Sequence, residues 1–206
     1  EAKRFVAKKS TATKQVFLAK RQTGGRGRLG RSFFSPEETG LYMSLLLQID
    51  EKLLDTDLIT PAAGVAVCRT IEEFSPEKPK IKWVNDIYIS QKKVCGILTE
   101  GSLNPDGSFN YAVLGIGINA YMPKNDFPDE IKDFIGNLKD QCEANKDDCS
   151  RCNISRHPKR IYFLYCDFRI NLITSINIFP EGIINYTSVR NCSEFICIRE
   201  INLICL

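Results

Sequence analysis

Hydrophobic and polar residues along the first part of the chain fall into short runs that are typical of strands. Such runs lie at residues 15–20, 41–48 and 109–121, and turn or charged residues bound each of them. We therefore predict three strands at these places. Apolar residues recur at helical spacing after Thr60 and Pro61, which predicts a helix with Thr60 as its N-cap.

Two neighbouring runs, residues 80–90 and 92–103, predict two more strands around a tight turn at Ser90, Gln91 and Lys92. The sequence NPDG, from Asn104 to Gly107, is typical of a further turn. Because the links between these strands are short, antiparallel pairing is favoured over wound β-α-β units. The predicted fold class is α/β of the α+β kind, a mixed, mainly antiparallel sheet flanked by helices.

The composition of the chain changes near residue 141. Of the nine cysteines, Cys68 and Cys95 come before this point and the others come after it, where glycine becomes rare. We therefore predict one domain at residues 1–141 and an atypical tail at residues 142–206. The tail is rich in Ile, Asn and Cys, and we interpret it as a frameshifted or mispredicted reading of the gene, which resequencing of the locus would test.

Four tail residues have a spacing that some zinc sites use. They are Cys142, Cys149, Cys152 and His157, in the pattern C-x6-C-x2-C-x4-H. The alternative interpretation is that these cysteines are free thiols in a poorly specified segment.

Charge and hydropathy narrow the classes of function. A net charge of +3 is small for a protein that coats nucleic acid with a broad basic face. No run of about 18 apolar residues predicts a membrane span, and residues 1–10 lack the apolar core of a secretory signal. We therefore expect a cytoplasmic protein without a membrane partner. The chain begins without Met in a helical pattern, so we also expect its natural start to lie upstream.

The stretch from residue 21 to residue 40, here called the arginine loop, concentrates arginine and glycine. Gly25, Gly27 and Gly30 match G-x-G-x-x-G, the pattern of a dinucleotide-binding turn. That pattern requires a helix directly afterwards, but Ser35, Pro36 and a predicted strand follow. The pattern alone is therefore a weak signal.

Anion binding by the arginines themselves is the better interpretation of the loop. The guanidinium groups of Arg26, Arg28 and Arg31 are suited to bidentate phosphate contacts. We expect the loop to become ordered when an anion binds. A solvated basic loop, or an RNA-binding segment, remains an alternative when the loop is considered alone.

A second cluster of chemically useful residues follows at residues 82–93. Lys82, Trp83, Asn85 and Asp86 are close in sequence, and a hairpin would carry the ammonium group of Lys93 back beside Asp86. Further on, glycines alternate in the sequence LGIGIN. Glycines on one face of a strand leave a flat floor that a ligand can approach.

Together these pieces resemble a known family. The stretches QTGGRGRLGRSFFSP, GLYMSLLLQ, KWVNDIYISQKKVCGILTE and LGIGIN, in this order, closely resemble the catalytic domain of biotin protein ligases. The resemblance runs from about Glu1 to Leu138. It implies a fold like the core of class II aminoacyl-tRNA synthetases.

The resemblance also implies roles for single residues. Lys93 would contact the reacting carboxylate and the α-phosphate, Phe33 would cover the adenine, and Asp86 would be a ligand of Mg²⁺. The implied catalytic residues are Arg28, Lys93 and Asp86. The implied biotin- and adenylate-binding residues are Gln22, Arg26, Gly27, Arg28, Arg31, Phe33, Lys82, Trp83, Asn85, Lys93, Gly96, Gly115, Gly117 and Asn119.

The implied activity is a two-step ligation. Biotin would react with ATP, in the presence of Mg²⁺, to give biotinoyl-5′-AMP, and biotin would then pass to a lysine on the biotin carboxyl carrier domain of a carboxylase. The resemblance also implies a homodimer through an edge strand as one arrangement. No helix-turn-helix domain occurs in this chain, so we expect no nucleic-acid partner.

Three alternatives stand beside this interpretation. A lipoate ligase belongs to the same superfamily, although the G-R-G-R-x-G-R loop favours biotin. A domain that binds biotin or its adenylate without turnover is a second, because the family's Ser-Thr-Asn segment would precede Glu1. An RNA-binding module is the third. A smaller departure from the family is Val84, which stands where many members have Pro.

Overall fold

The computed structural model describes residues 1–9, 15–48, 56–72, 75 and 77–143, together with three short strand segments nearer the C-terminus. Cys149, Cys152 and His157 of the predicted zinc site lie outside the described residues, as does most of the predicted tail. Among the residues described, no helix is long and apolar enough to cross a membrane.

An antiparallel sheet forms the centre of the molecule. Its strands are β1 (Gln15–Ala19), β2 (Gly40–Gln48), β3 (Lys80–Lys82), β4 (Asp86–Ile89), β5 (Lys92–Leu103), β6 (Phe109–Asn119) and β8 (Phe195–Ile198). They lie in the order β3-β4-β5-β6-β2-β1-β8, and each pair of neighbours is antiparallel. Two further short strands, β7 (Ile183–Ile184) and β9 (Leu203–Ile204), pair with each other.

In the described part of the chain, three α-helices accompany the sheet. They are α1 (Ala2–Lys9), α2 (Ile59–Glu72) and α3 (Leu138–Glu143). The predicted fold class, a mainly antiparallel sheet flanked by helices, is confirmed.

The two turns that the sequence predicts around β5 are confirmed. Ser90 and Gln91 both have positive φ, 46° and 64°, and Ile89 pairs with Lys92 across them. This is the two-residue geometry that suits the twist of a hairpin. At the other end of β5, the amide of Gly107 donates to the carbonyl of Asn104 at 3.0 Å, and Gly107 has a φ of 86°.

The two faces of the sheet are covered differently. On one face α2 buries Ile59, Ala63, Val67 and Ile71 in a large apolar cluster with alternate residues of the central strands. On the other face α1 packs through Ala2 in a smaller cluster. The other buried members of that cluster are Leu46, Tyr111 and Val113. Since side chains alternate along a strand, Gly115 and Gly117 lie on the same face as Val113.

Two predictions about local structure are wrong. Residues 80–90 are not one strand, because the chain turns at residues 83–85 and Lys82 pairs with Asp86 across that turn. Asn and Asp favour such turns over continuous strand. The helix α2 begins at Ile59, so Thr60 is not its N-cap, and the Thr60 hydroxyl instead shares a 2.7 Å hydrogen bond with the hydroxyl of Thr99.

Candidate functional site

The arginine loop folds back on itself as a narrow hairpin. The amide of Gln22 donates to the carbonyl of Ser35 at 3.0 Å, and the amide of Phe33 donates to Gly25 at 2.9 Å. At the tip, residues 28–30 form a single 3₁₀ turn in which Leu29 and Gly30 have positive φ. A short turn followed by a strand cannot supply the helix N-terminus that a dinucleotide-binding turn requires, so the anion-binding interpretation of the loop is favoured.

Side chains fasten the base of this hairpin. The Ser35 hydroxyl donates to Oε1 of Gln22 at 2.7 Å. The hydroxyl of Tyr42, which is buried in β2, donates to the carbonyl of Pro36 at 3.1 Å, and burial raises the pKa of Tyr42. Gln22 is therefore held at the entrance of the loop by neighbours within the same hairpin.

Phe33 lies on the glycine floor. Gly96 of β5 pairs directly with Gly117 of β6, and the ring covers both. A Cβ added to Gly117 would come 2.4 Å from the ring of Phe33, and one added to Gly96 would come 2.8 Å from it. Only glycine allows the ring to lie this close to the strands. Gly115, by contrast, has room for a Cβ, which would meet the carbonyl of Leu98 at 3.5 Å.

A chain of polar contacts joins the loop to the β4–β5 hairpin. The ammonium group of Lys93 lies 2.8 Å from Oδ1 of Asp86, and both side chains are about one-fifth exposed, at 19% and 21%. The amide of Asn85 donates to the same Asp86 oxygen at 2.9 Å, and Nη1 of Arg28 donates to Oδ1 of Asn85 at 3.3 Å. The predicted approach of Lys93 to Asp86 is thus present, and Arg28 extends it to the tip of the arginine loop.

The ring of Phe33 and the ammonium of Lys93 are also neighbours. Their separation is 6.0 Å from Nζ to the ring centroid. This distance is at the outer limit for a cation–π contact. The ring and the ammonium therefore border the same part of the proposed site.

Arg26 has an acidic partner that the sequence did not suggest. Nη2 of Arg26 lies 2.9 Å from Oε2 of Glu100, and the ammonium of Lys3 lies 2.9 Å from Oε1 of the same carboxylate. Glu100 thus joins β5 to both the loop and α1. A lone acidic residue in a strand is ordinarily typical of a solvated position, so the sequence around Glu100 contained no signal for this contact.

An open cavity of about 430 Å³ lies under the arginine loop. Its walls combine the loop tip with the side of β5 that carries Leu98 and Glu100. The lining residues are Arg26, Gly27, Arg28, Leu29, Gly30, Arg31, Leu98 and Glu100. The guanidinium-bearing residues at 26, 28 and 31 therefore border one space, as the anion-binding interpretation expects.

Asn119 lies at the end of β6 and makes a backbone contact. It is 6% exposed, and its side-chain amide donates to the carbonyl of Gly136 at 3.2 Å. Residues 134–136, which no sequence pattern indicated, lie beside Lys93 through backbone hydrogen bonds.

Lys82 and Trp83 lie at the edge of the cluster. The ammonium of Lys82 is 5.4 Å from the centroid of the Tyr88 ring, and Trp83 is 77% exposed at the β3–β4 turn. Trp83 is therefore neither a core aromatic residue nor a buried wall. The structure brings the turn that carries it next to Arg28 through Asn85.

Cys68 and Cys95 belong to the apolar cluster under α2, and neither is prepared to react as a nucleophile. Burial raises the pKa of Cys95, which precedes Gly96 on β5, well above its ordinary value, and raises that of Cys68 to about 11. A neutral, buried thiol is a poor nucleophile. Among the residues described, no group of three His, Cys, Asp or Glu side chains could hold a metal ion.

These features define a domain that can bind an anionic ligand: a glycine floor under an aromatic ring, two cations nearby, and an arginine-lined cavity next to them. The chain belongs to the biotin/lipoate A/B protein ligase family, whose sequence model matches residues 2–119.

Relatives and solved structures agree with this assignment. The chain is 41% identical over 142 residues to the bifunctional ligase/repressor BirA of Bacillus subtilis. The matched region is 69% of this chain and 42% of that protein. It is also 31% identical over 108 residues to the biotin--[acetyl-CoA-carboxylase] ligase of Mycobacterium tuberculosis. That matched region is 50% of this chain and 38% of that protein. The chain therefore spans less than half the length of these relatives.

Among solved structures, the biotin protein ligase from Aquifex aeolicus in complex with biotin and ATP is similar in fold. The TM-score is 0.58 and the identity is 32%, covering 79% of this chain and 62% of that one. The predicted likeness to the class II aminoacyl-tRNA synthetase core, which followed from the resemblance to these ligases, is thereby confirmed.

Proposed function

We propose that this chain activates biotin with ATP and transfers it to a lysine of a biotin carboxyl carrier domain. The observation that carries the proposal is the contact chain from Arg28 through Asn85 and Asp86 to Lys93. It places two cations within one polar cluster, beside the aromatic-covered floor. The names of the relatives and the ligands of the Aquifex aeolicus structure support biotin and ATP as substrates.

The first step joins two anions and requires neutralisation of charge. A carboxylate oxygen of biotin attacks the α-phosphorus of ATP, the bond to pyrophosphate breaks, and biotinoyl-5′-AMP and pyrophosphate result. Preorganised cations stabilise the charge that develops at the phosphorus. We assign this role to Arg28 and Lys93, with Arg26 and Arg31 at the cavity wall.

The floor and the loop hold the ligand in this proposal. The rings of biotin would lie on the flat surface formed by Gly96, Gly115 and Gly117, where they would take the place that the Phe33 ring occupies over Gly96 and Gly117 in this structure. Gln22 and Gly27 contribute polar groups from the loop. An anhydride such as biotinoyl-5′-AMP hydrolyses in water, so a loop that covers it protects the intermediate.

Magnesium would enter with the phosphates of ATP. Mg²⁺ commonly uses one or two carboxylates together with phosphate oxygens, and Asp86 is the carboxylate of the polar cluster. Asp86 already accepts from Lys93 and Asn85 through Oδ1. The residues thus fit a metal that is held mainly by the nucleotide, with Asp86 as its single protein ligand and Asn85 beside it. The metal would neutralise phosphate charge.

In the second step the amine of a carrier lysine attacks the carbonyl carbon of biotinoyl-5′-AMP. An amide bond forms, AMP leaves, and the amine loses a proton. Asp86 is the acceptor of that proton in this proposal, because it is the carboxylate within the cluster. Lys82, Trp83 and Asn119 complete the proposed site at its edges.

The test is biotin-dependent exchange of labelled pyrophosphate into ATP with Mg²⁺. We expect exchange by the native chain, and a loss of at least about 100-fold in Arg28→Ala and in Lys93→Ala. Matched controls are Arg4→Ala and Lys80→Ala, which remove exposed cations away from the cluster and should change the rate less than about twofold.

Lipoate serves as the second substrate in the same assay. Exchange with lipoate and not with biotin would assign the chain to the other branch of the family. Near-normal exchange in either cluster variant would contradict the site assignment. Folded native protein that binds biotin without exchange would be a binding domain.

A further inference from the structure

The backbone of Lys93 is held from outside the strands that carry the proposed site. Its amide donates to the carbonyl of Phe134 at 2.8 Å, and its carbonyl accepts from the amide of Gly136 at 2.9 Å. Lys93 therefore forms a parallel bridge with Ile135. Residues 134–136, here called the clamp, take the place beside β5 that β6 no longer fills after its last pair, Cys95 with Ile118.

Side chains fasten the clamp on both sides of Lys93. Asn119, the last residue of β6, donates to the carbonyl of Gly136 at 3.2 Å and is buried. The ammonium of Lys92 donates to the carbonyl of Asp133 at 2.6 Å. The clamp thus joins the end of β6 to the beginning of β5.

The clamp fits tightly at Gly136. A Cβ at this position would come 2.7 Å from the Cβ of Lys92. A Cβ is the stiff end of a side chain, so an added methyl group must move the backbone of one of the two segments. The residue next to Lys92 is Lys93, and it would move as well.

The position of the Lys93 ammonium depends on this backbone. Its side chain is only 19% exposed and reaches Asp86 at 2.8 Å, on the strand paired with β5 on the other side. Reactions between oriented groups lose much of their rate when a catalytic group is displaced by about 1 Å. A clamp that fixes the backbone of Lys93 therefore also fixes its charge.

We propose that the clamp positions Lys93 for the reaction, with Gly136 and Asn119 as positioning residues. The inference rests on the proposed function only for the role of Lys93. The clamp lies beyond residues 2–119, the part that the family's sequence model matches. The inference therefore gives a role to a segment outside the residues that the family's sequence model matches.

The decisive variant is Gly136→Ala in the full chain. We expect kcat for pyrophosphate exchange to fall about tenfold while KM for biotin and for ATP changes less than about threefold. Asn119→Asp keeps the size of the side chain and removes the donor, and it should lower kcat in the same direction. Asn119 is also a proposed nucleotide contact, so a lower kcat in Asn119→Asp alone would fit either role. Gly136 is not one of the proposed ligand contacts, so Gly136→Ala tests the positioning role by itself.

A second measurement needs no substrate. Isotopically labelled acetic anhydride is applied to the unliganded protein, and the acetylation of each lysine is read by peptide mass spectrometry. In Gly136→Ala the rate at Lys93, relative to the exposed Lys82, should rise at least about fivefold because the side chain is less restrained. The matched control is Asn104→Ala, which removes an amide that donates to Ser108 in the β5–β6 turn, and it should leave the ratio unchanged.

The outcomes separate this inference from the proposed function. If native protein shows no exchange, the proposed function fails, and the acetylation ratio still tests the clamp. If Gly136→Ala leaves both the ratio and kcat at native values, the clamp has no positioning role. If Gly136→Ala does not fold, the second variant is Lys92→Met, which removes the ammonium that donates to the carbonyls of Asp133 and Lys132. It should raise the ratio at Lys93, and an unchanged ratio there would equally overturn the inference.

Discussion

At the scale of single residues, Phe33 and the two glycines beneath it are mutually dependent. The ring covers Gly96 and Gly117 at distances that exclude a Cβ, and it lies 6.0 Å from the ammonium of Lys93. The resemblance to biotin protein ligases assigns this ring to the adenine. In the structure it lies on the floor that the same resemblance assigns to biotin, so one residue borders both proposed subsites.

Gly117→Ala should reveal this dependence as a change in stability. We expect the free energy of unfolding to fall by about 1–3 kcal/mol, because the methyl group displaces the ring. In the Phe33→Ala background the same substitution should cost at least about 1 kcal/mol less. Urea unfolding of the four proteins gives the coupling energy directly.

Gly115→Ala is the matched control, since its Cβ would make only an ordinary contact on the same face of β6. Its cost should be similar with and without Phe33. Equal costs of Gly117→Ala in both backgrounds would mean that the ring does not lie on Gly117.

At the scale of elements, the sequence predicted the hairpins better than the contacts between them. Both ends of β5 were predicted, the end at Asn104–Gly107 from its typical turn residues and the start at Ser90 and Gln91 from the short break between two apolar runs. The prediction of one strand over residues 80–90 is wrong because the apolar alternation continues through the turn at residues 83–85, after which Asp86 begins β4. No sequence pattern predicted the clamp, because its contacts to Lys93 are made by backbone atoms.

The β4–β5 turn offers a prediction at this scale. Gln91 has a φ of 64°, which costs a residue with a side chain roughly 1 kcal/mol more than glycine. Gln91→Gly should therefore raise the free energy of unfolding by up to about 1 kcal/mol. Thermal unfolding followed by circular dichroism is the measurement.

Gln48→Gly provides the comparison for that substitution. Gln48 is the exposed last residue of β2, in extended backbone, so glycine there should destabilise the protein. A loss of stability in Gln91→Gly as large as that in Gln48→Gly would contradict the turn geometry.

At the scale of the whole molecule, the larger apolar cluster and the proposed site lie on opposite faces of the sheet. The face covered by α2 holds the large apolar cluster, whereas the opposite face carries the glycine floor, Glu100 and the contact of α1 through Lys3. Within the described part of the chain, both apolar clusters are complete by Leu138. We therefore propose that residues 1–141 form the functional domain.

Truncation after Glu143 tests this division. The shortened chain loses β8, which pairs with β1 at the edge of the sheet, and keeps both apolar clusters. We expect cooperative thermal unfolding and retention of pyrophosphate exchange. The control is the full chain prepared in parallel. Loss of cooperative unfolding, with exchange lost as well, would show that the domain extends into the tail.

The exposed position of Trp83 gives the molecule an optical probe of its own. The sequence contains one tryptophan, and it lies at the turn whose Asn85 side chain contacts Arg28. All indole fluorescence therefore originates beside the proposed site, from a ring that is 77% exposed to water. The wavelength and intensity of that emission report directly on whether the arginine loop is seated against the β3–β4 turn, without any label.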